Sequence, residues 1–324
     1  AMIQEYLKHI PHFLAEIIAK YGLHFALDLN YEITKKYTPE RYDQELHGLA
    51  DGSGIDVKQF RRLNLLPELI KAACSMYGAW GVATERHGLM QLRALDWDSH
   101  APIKKWASMV VYHPDDGTVP FSNIGYPGLI GSITGYSASS IGISEKVWLG
   151  QPDSQDSRFG MPWTYVLRDV LQYATDLDSA LSILKDAHRT CSIHVGVGSS
   201  KTGEFRGVQY SYKHLNIFNW MDQPASEAHP TLTNVVYWDK HVQPSSNPCF
   251  GSLLQHFYGH LDVENTRQIA AEAQTGDMQI AIFDFKGNEV YVANARADGE
   301  SGPDNAYDRS YVRFNMTAIF AEKL

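Results

Sequence analysis

The chain reads as an α+β protein in which sheets lie between helical layers, with a helical block ahead of them. Three observations predict this. Apolar residues recur at helical spacing from Ile3 to about Ala73, the pattern switches at Cys74 to short β-rich runs, and two helical stretches interrupt the strands before strands resume. Strands, then helices, then strands fit separate layers of sheet and helix.

The elements follow in order. Ile3, Tyr6, Leu7, Ile10, Phe13, Leu14 and Ile17 share one helical face, and Gln4, Glu5, Lys8, His9 and Glu16 make Ala1–Lys20 an amphipathic helix rather than a signal peptide. Phe25, Leu27, Leu29 and Ile33 continue the pattern. Thr38-Pro39-Glu40 starts a helix that Gly52-Ser53-Gly54 ends, and Asp56 caps the next, which runs through Phe60, Leu63, Leu65 and Leu69. From Cys74 the predicted strands are 74–83, 88–96, 107–113, 129–135 and 139–146, followed by helices Trp163–Tyr173 and Asp178–Ala187. Strands at 191–198, 205–212 and 232–238 come next, then helices near 250–258 and 263–273. Met278–Phe285, Glu289–Ala295 and Val312–Ile319 are strands again, with Lys286-Gly287-Asn288 as a hairpin turn.

Bulk properties exclude several functions. A net charge of −9 argues against nonspecific binding to nucleic acid, whose phosphates attract basic surfaces. No apolar run approaches the roughly 18 residues that a membrane-spanning helix needs. The histidines, His194, His229 and His241 among them, show no ligand spacing, and Gly196-Val197-Gly198 is too short for a dinucleotide loop, so neither metal nor cofactor is expected. Asn315-Met316-Thr317 is a glycosylation sequon inside an apolar run. Of the three cysteines, Cys191 and Cys249 are either a disulfide pair or two buried thiols.

Cys74 carries the chemistry. It opens a predicted strand whose hairpin partner bears Arg93 and Asp96, three residues apart. A free thiol ionises near pH 8.5 and needs a base, and a free α-amine, with a pKa of about 7.7–8.0, supplies one on the same residue. Cleavage of the bond before Cys74 would release that amine. Asp96 would then accept a hydrogen bond from it, and Arg93 would favour the thiolate and hold the substrate carbonyl. Strict alternation puts Arg93 and Asp96 on opposite faces, so this arrangement calls for a bend or bulge near Leu95. The bland alternative is a buried structural thiol beside a surface ion pair. Tyr77, Trp80, Trp97, Tyr126, Trp163 and Tyr165 supply aromatic surface either for an acyl pocket or for the core.

Four segments extend this reading: Cys74-Ser75, Leu92-Arg93-Ala94-Leu95-Asp96-Trp97-Asp98, Gly131-Ser132-Ile133-Thr134-Gly135-Tyr136 and Thr275-Gly276-Asp277. With Asn294–Gly302 they resemble the penicillin acyltransferase-like, acid ceramidase-like branch of the N-terminal-nucleophile (Ntn) hydrolases, which is related to choloylglycine hydrolases. The resemblance runs from about Arg61 to the C-terminus. It implies an αββα four-layer sandwich, self-cleavage at Ala73–Cys74, and attack by the cysteine on a linear amide. Residues 1–73 would then be a helical prosegment that stays bound, and 74–324 the catalytic core. It further implies Tyr136 as the main-chain oxyanion donor and Asn234 as the side-chain donor. The family's later arginine has no match, Asn247-Pro248-Cys249 standing there instead. The implied partner is a small-molecule N-acyl substrate, with lipids among the candidates, and the implied location is lysosomal or secreted. The rival from another class is a binding protein that keeps the fold with a dead site.

Overall fold

The structure is a computed structural model that describes residues 20–69, 72–97, 99, 101–151 and 155–322; the predicted helix over Ala1–Lys20 lies almost wholly outside them. Its helices are α1 (Leu23–Thr34), α2 (Glu40–Ser53), α3 (Val57–Leu69), α4 (Trp163–Tyr173), α5 (Leu177–Asp186), α6 (Cys249–His256), α7 (Val263–Glu272) and α8 (Met316–Ala321). The strands are β1 (Ala73–Ala79), β2 (Met90–Asp96), β3 (Ser108–Tyr112), β4 (Phe121–Gly125), β5 (Gly135–Ser137), β6 (Ile141–Val147) and β7 (Ile193–Ser199). After them come β8 (Glu204–Tyr210), β9 (Leu215–Phe218), β10 (Val235–Trp238), β11 (Gln279–Asp284), β12 (Glu289–Asn294) and β13 (Val312–Asn315).

Local chemistry sets the helix ends. Glu40 and Asp43 place negative charge in the first turn of α2, where the helix dipole favours it. Asp56 accepts from Lys58 N–H at 2.8 Å and so starts α3. Asp176 and Ser179 form a reciprocal capping box at α5.

The strands form two antiparallel sheets. The first has the order β10-β1-β2-β11-β12-β13 and the second β3-β4-β5-β6-β7-β8-β9. Met76, Tyr136, Phe205, Trp238 and Phe283 fill the space between them. Tyr77, Leu92, Ile280 and Ile282 face outward onto Phe250, Leu254 and Ile269 of α6 and α7. Ile141, Ile143, Val195 and Val208 face outward onto Val166, Val170, Leu171 and Leu184 of α4 and α5, and Tyr42 and Leu46 of α2 join that cluster. The result is helix, sheet, sheet and helix, as the sequence predicts. The sheets approach closely at Phe205, whose ring lies where a Cβ on Gly78 of the first sheet or Gly196 of the second would stand, 2.0 and 2.4 Å away. A larger residue at either position would push the layers apart.

Three elements differ from expectation. Residues 129–134 form a loop, and the strands there are Phe121–Gly125 and the three-residue β5. Leu215–Phe218 adds an unpredicted edge strand to the second sheet. The apolar run Val312–Ile319 breaks into a strand and a helix, because Asn315 caps Ala318 N–H at 3.0 Å and turns the chain. The sequon asparagine is therefore a helix cap.

The short β5 matters for function. It pairs with β6 only at Gly135↔Ile143 and Tyr136↔Gly142, so Glu145 and Val147 have no ladder partner on that side. A notch opens there in the second sheet, facing the start of β1.

Candidate active site

Cys74 is the second residue of β1, level with Leu95 of β2, and fully buried. Its Sγ lies 3.6 Å from Arg93 Nη2 and 3.9 Å from Glu145 Oε1. Arg93 reaches through the notch and donates to the same Glu145 oxygen at 2.6 Å. Arg93 Nε and Nη1 are buried and have no hydrogen-bond partner among the described residues. Burial pushes the Cys74 thiol far up, Arg93 and Lys146 pull it down, and Glu145 and Asp96 oppose them. Burial also raises the Glu145 carboxyl above the usual carboxylate range, against the pull of Arg93. Lys146, the next residue, is fully buried; its ammonium donates to Val147 O at 2.9 Å and His241 O at 3.0 Å, and burial lowers its pKa to about 8.

Asp96 sits beside the Ala73–Cys74 bond without the bulge that the sequence reading calls for. β1 and β2 pair residue for residue from Ala79↔Met90 to Ala73↔Asp96. Alternation therefore does put Arg93 and Asp96 on opposite faces. Arg93 meets the sulfur between the sheets, while Asp96 flanks the residue before Cys74 from the outer face. Its carboxylate accepts from Thr275 Oγ1 at 2.6 Å and Gly276 N–H at 2.8 Å. Burial raises it to about 6, with Thr275 and Lys240 lowering it.

The structure separates the two proposed oxyanion donors from the thiol. Asn234 precedes β10, whose register Ala79↔Val235 puts it level with Trp80, whose N–H donates to Asn234 O at 3.0 Å. That is the opposite end of β1 from Cys74, about 20 Å away at the usual rise of a strand. Tyr136 is level with Gly142 of β6, where a side chain would meet Phe285 and Gln91, three residues short of Glu145. Its hydroxyl donates to Asn288 Oδ1 at 2.8 Å and its ring stacks on Phe283, in the middle of the sandwich. Asn234 thus stands at the far end of β1, and the Tyr136 side chain is held in the middle of the sandwich.

Glu145 is the residue that sequence reasoning missed. The signal was present: Glu145-Lys146 places two charges in the otherwise buried strand Ile141–Val147, an expensive choice without a partner or a task.

An apolar cavity, partly open to solvent, borders Arg93 and Glu145. Trp97, Tyr126 and Trp163 line it, whereas Tyr77, Trp80 and Tyr165 pack in the core. Leu63, Leu66 and Pro67 of α3 form one wall, so the helical block before Cys74 is part of the cavity. Cys191 is buried on another wall and Cys249 is exposed at the start of α6, and no disulfide joins them. Among the described residues no three His, Cys, Asp or Glu side chains converge as metal ligands, and no helix is long and apolar enough to cross a membrane.

No protein-family model matches the chain. The Dictyostelium discoideum protein dcd1A is 39% identical over 340 aligned positions that cover 98% of this chain and 76% of dcd1A. Its relative dcd1B is 36% identical over 343 positions, covering 99% of this chain and 68% of dcd1B. The chain belongs to the dcd1 family. Among solved structures, this dcd1-family protein is similar to the Caenorhabditis elegans ortholog of N-acylethanolamine-hydrolyzing acid amidase, with a TM-score of 0.52 at 14% identity over 65% of this chain and 92% of that one. At that identity the likeness is one of fold: the dcd1-family chain shares the fold of that structure.

Proposed function

We propose that this chain is a self-processing cysteine amidohydrolase or acyltransferase that cleaves a linear N-acyl amide through a thioester on Cys74. One observation carries the proposal: Cys74 Sγ has a buried guanidinium at 3.6 Å and a carboxylate at 3.9 Å, beside an apolar cavity. In the uncleaved chain Cys74 has no free amine, because Ala73 and Cys74 are joined within β1. Glu145 is the group placed to take the thiol proton. The sulfur then attacks the Ala73 carbonyl carbon, the Ala73–Cys74 C–N bond breaks, and the proton passes to the departing nitrogen. Water hydrolyses the resulting thioester, leaving a carboxylate on Ala73 and a free amine on Cys74.

The same atoms serve a substrate. The new α-amine accepts the thiol proton, Asp96 holds that amine, and the sulfur attacks the substrate's amide carbon. The Arg93 N–H groups that have no partner among the described residues supply the donors for the oxyanion. The acyl chain occupies the apolar cavity, so residues 1–73 stay attached after cleavage as part of its wall. Water completes hydrolysis and an amine completes acyl transfer.

Maturation and a panel of N-acyl amides with a fluorescent leaving amine test this. The parent chain should split at Ala73–Cys74 and release fluorophore, and Cys74→Ala should do neither. Cleavage of Cys74→Ala at the same bond would assign the cut to another protease.

A further inference from the structure

The outer face of the first sheet carries a second device, aimed at Asp96. Lys240 lies two residues past the last β10 pair, Met76↔Trp238, at the Cys74 end of β1. Lys240 Nζ lies 3.9 Å from Asp96 Oδ1 and donates to Gln274 O at 2.6 Å. The next two residues, Thr275 and Gly276, are the ones that donate to Asp96. Lysine, turn and carboxylate therefore close into a ring. Thr275 Oγ1 also lies 2.7 Å from Ser75 Oγ, which ties the ring to β1 itself.

The turn is bent to make this possible. Gln274 has φ +49, an uncommon state for a residue with a side chain, and Gly276 has φ +92. A Cβ at Gly276 would stand 2.2 Å from Ile280 Cγ1. Backbone held in such states marks sites where the surroundings demand a particular geometry. Here the demand is that the Gln274 carbonyl face Lys240 while the Gly276 N–H faces Asp96.

We propose that Lys240 is a positioning residue that keeps the Asp96 carboxylate ionised and aimed at the Cys74 amine. This rests on the reading of Cys74 as an N-terminal nucleophile. Among the charged and titratable groups that act on Asp96 or feel its charge, Lys240 is a lysine in direct reach, Lys146 lies deeper, Asp277 opposes both, and Cys74 and Tyr307 complete the set. Loss of Lys240 leaves Asp277 acting on a buried carboxyl with less to counter it. Asp96 then takes up a proton at higher pH and can no longer accept from the amine.

Two measurements test this. The first follows Asp96 directly, by carboxyl ¹³C NMR on the uncleaved full chain carrying Cys74→Ala. Adding Lys240→Met should raise the Asp96 midpoint by roughly one pH unit, the size left to a Coulomb partner at this distance after solvent screening. Lys240→Arg should restore it, and Lys240→Gln should repeat the methionine result if methionine impairs folding. The second is the pH profile of kcat/KM in the cleaved enzyme. Lys240→Met should move the acid limb upward by a similar interval, lower activity about tenfold at the foot of that limb, and leave the plateau within about twofold. An unmoved Asp96 midpoint overturns the proposal whether or not the chain is an enzyme. So does an equal loss of activity at every pH, the mark of a purely structural lysine. A moved midpoint with no acid limb in the parent profile leaves the Lys240–Asp96 coupling standing and removes the reading of Asp96 as the partner of the amine.

Discussion

Replacing Glu145 by glutamine separates two properties that usually move together, the acidity of a nucleophile and its competence. At an effective dielectric of about 20, the Arg93 guanidinium at 3.6 Å favours the thiolate by about 5 kcal/mol, and the Glu145 carboxylate at 3.9 Å opposes it by about 4 kcal/mol. The two nearly cancel, which leaves desolvation to hold the thiol up. Glutamine removes the opposing charge and leaves Arg93 in place. The full Coulomb figure corresponds to about 3 pKa units, and the partial neutralisation of a buried Glu145 reduces the expected fall to about 1–2 units. The sign is fixed: Glu145→Gln makes Cys74 a stronger acid. The variant nevertheless loses the acceptor for the thiol proton in the uncleaved chain. Self-cleavage should therefore slow by about 10²–10⁴, the usual contribution of a positioned base. Titration of the Cys74 signal in protein labelled with ¹³Cβ cysteine reads the acidity, and a time course on a denaturing gel reads the cleavage. A thiol pKa that rises or stays fixed would refute the opposed-charge account. Normal cleavage alongside a lowered pKa would remove Glu145 as the proton acceptor.

Two other substitutions probe the frame around the site. Asn234→Ala should leave kcat within about threefold of the parent, since removing a true side-chain oxyanion donor costs about 10²–10³; steady-state kinetics on the amide panel decides, and a hundredfold loss would restore Asn234 to the site. Gly276→Ala should destabilise the fold by about 2 kcal/mol, lowering Tm by roughly 3 °C in a calorimetric scan, because its Cβ meets Ile280 in a left-handed backbone. An unchanged Tm would show that the turn relaxes without cost.

What the sequence disclosed and what it withheld follow one physical division. Cys74, Arg93 and Asp96 were legible because a hairpin makes short sequence spacing into spatial proximity: two neighbouring strands and one register bring all three together. The layered architecture was legible because periodicity survives without knowledge of partners. The place of Asn234 was not legible because its distance from Cys74 depends on a pairing between strands far apart in the chain. β10 could meet β1 in several registers, and the one it adopts carries Asn234 to the far end and Lys240 to the near one. A strand over 129–135 would have sealed the second sheet opposite the thiol. The loop there leaves β5 three residues long, and the notch that results is what lets Arg93 of one sheet reach Glu145 of the other. The site is thus assembled from a local hairpin and a long-range gap. Sequence patterning specifies the first, whereas the second appears only when the loop before β5 has been placed against α3 and α4. The same loop placement explains why Leu63, Leu66 and Pro67, which read as an ordinary apolar helix face, end up walling the cavity beside Arg93 and Glu145.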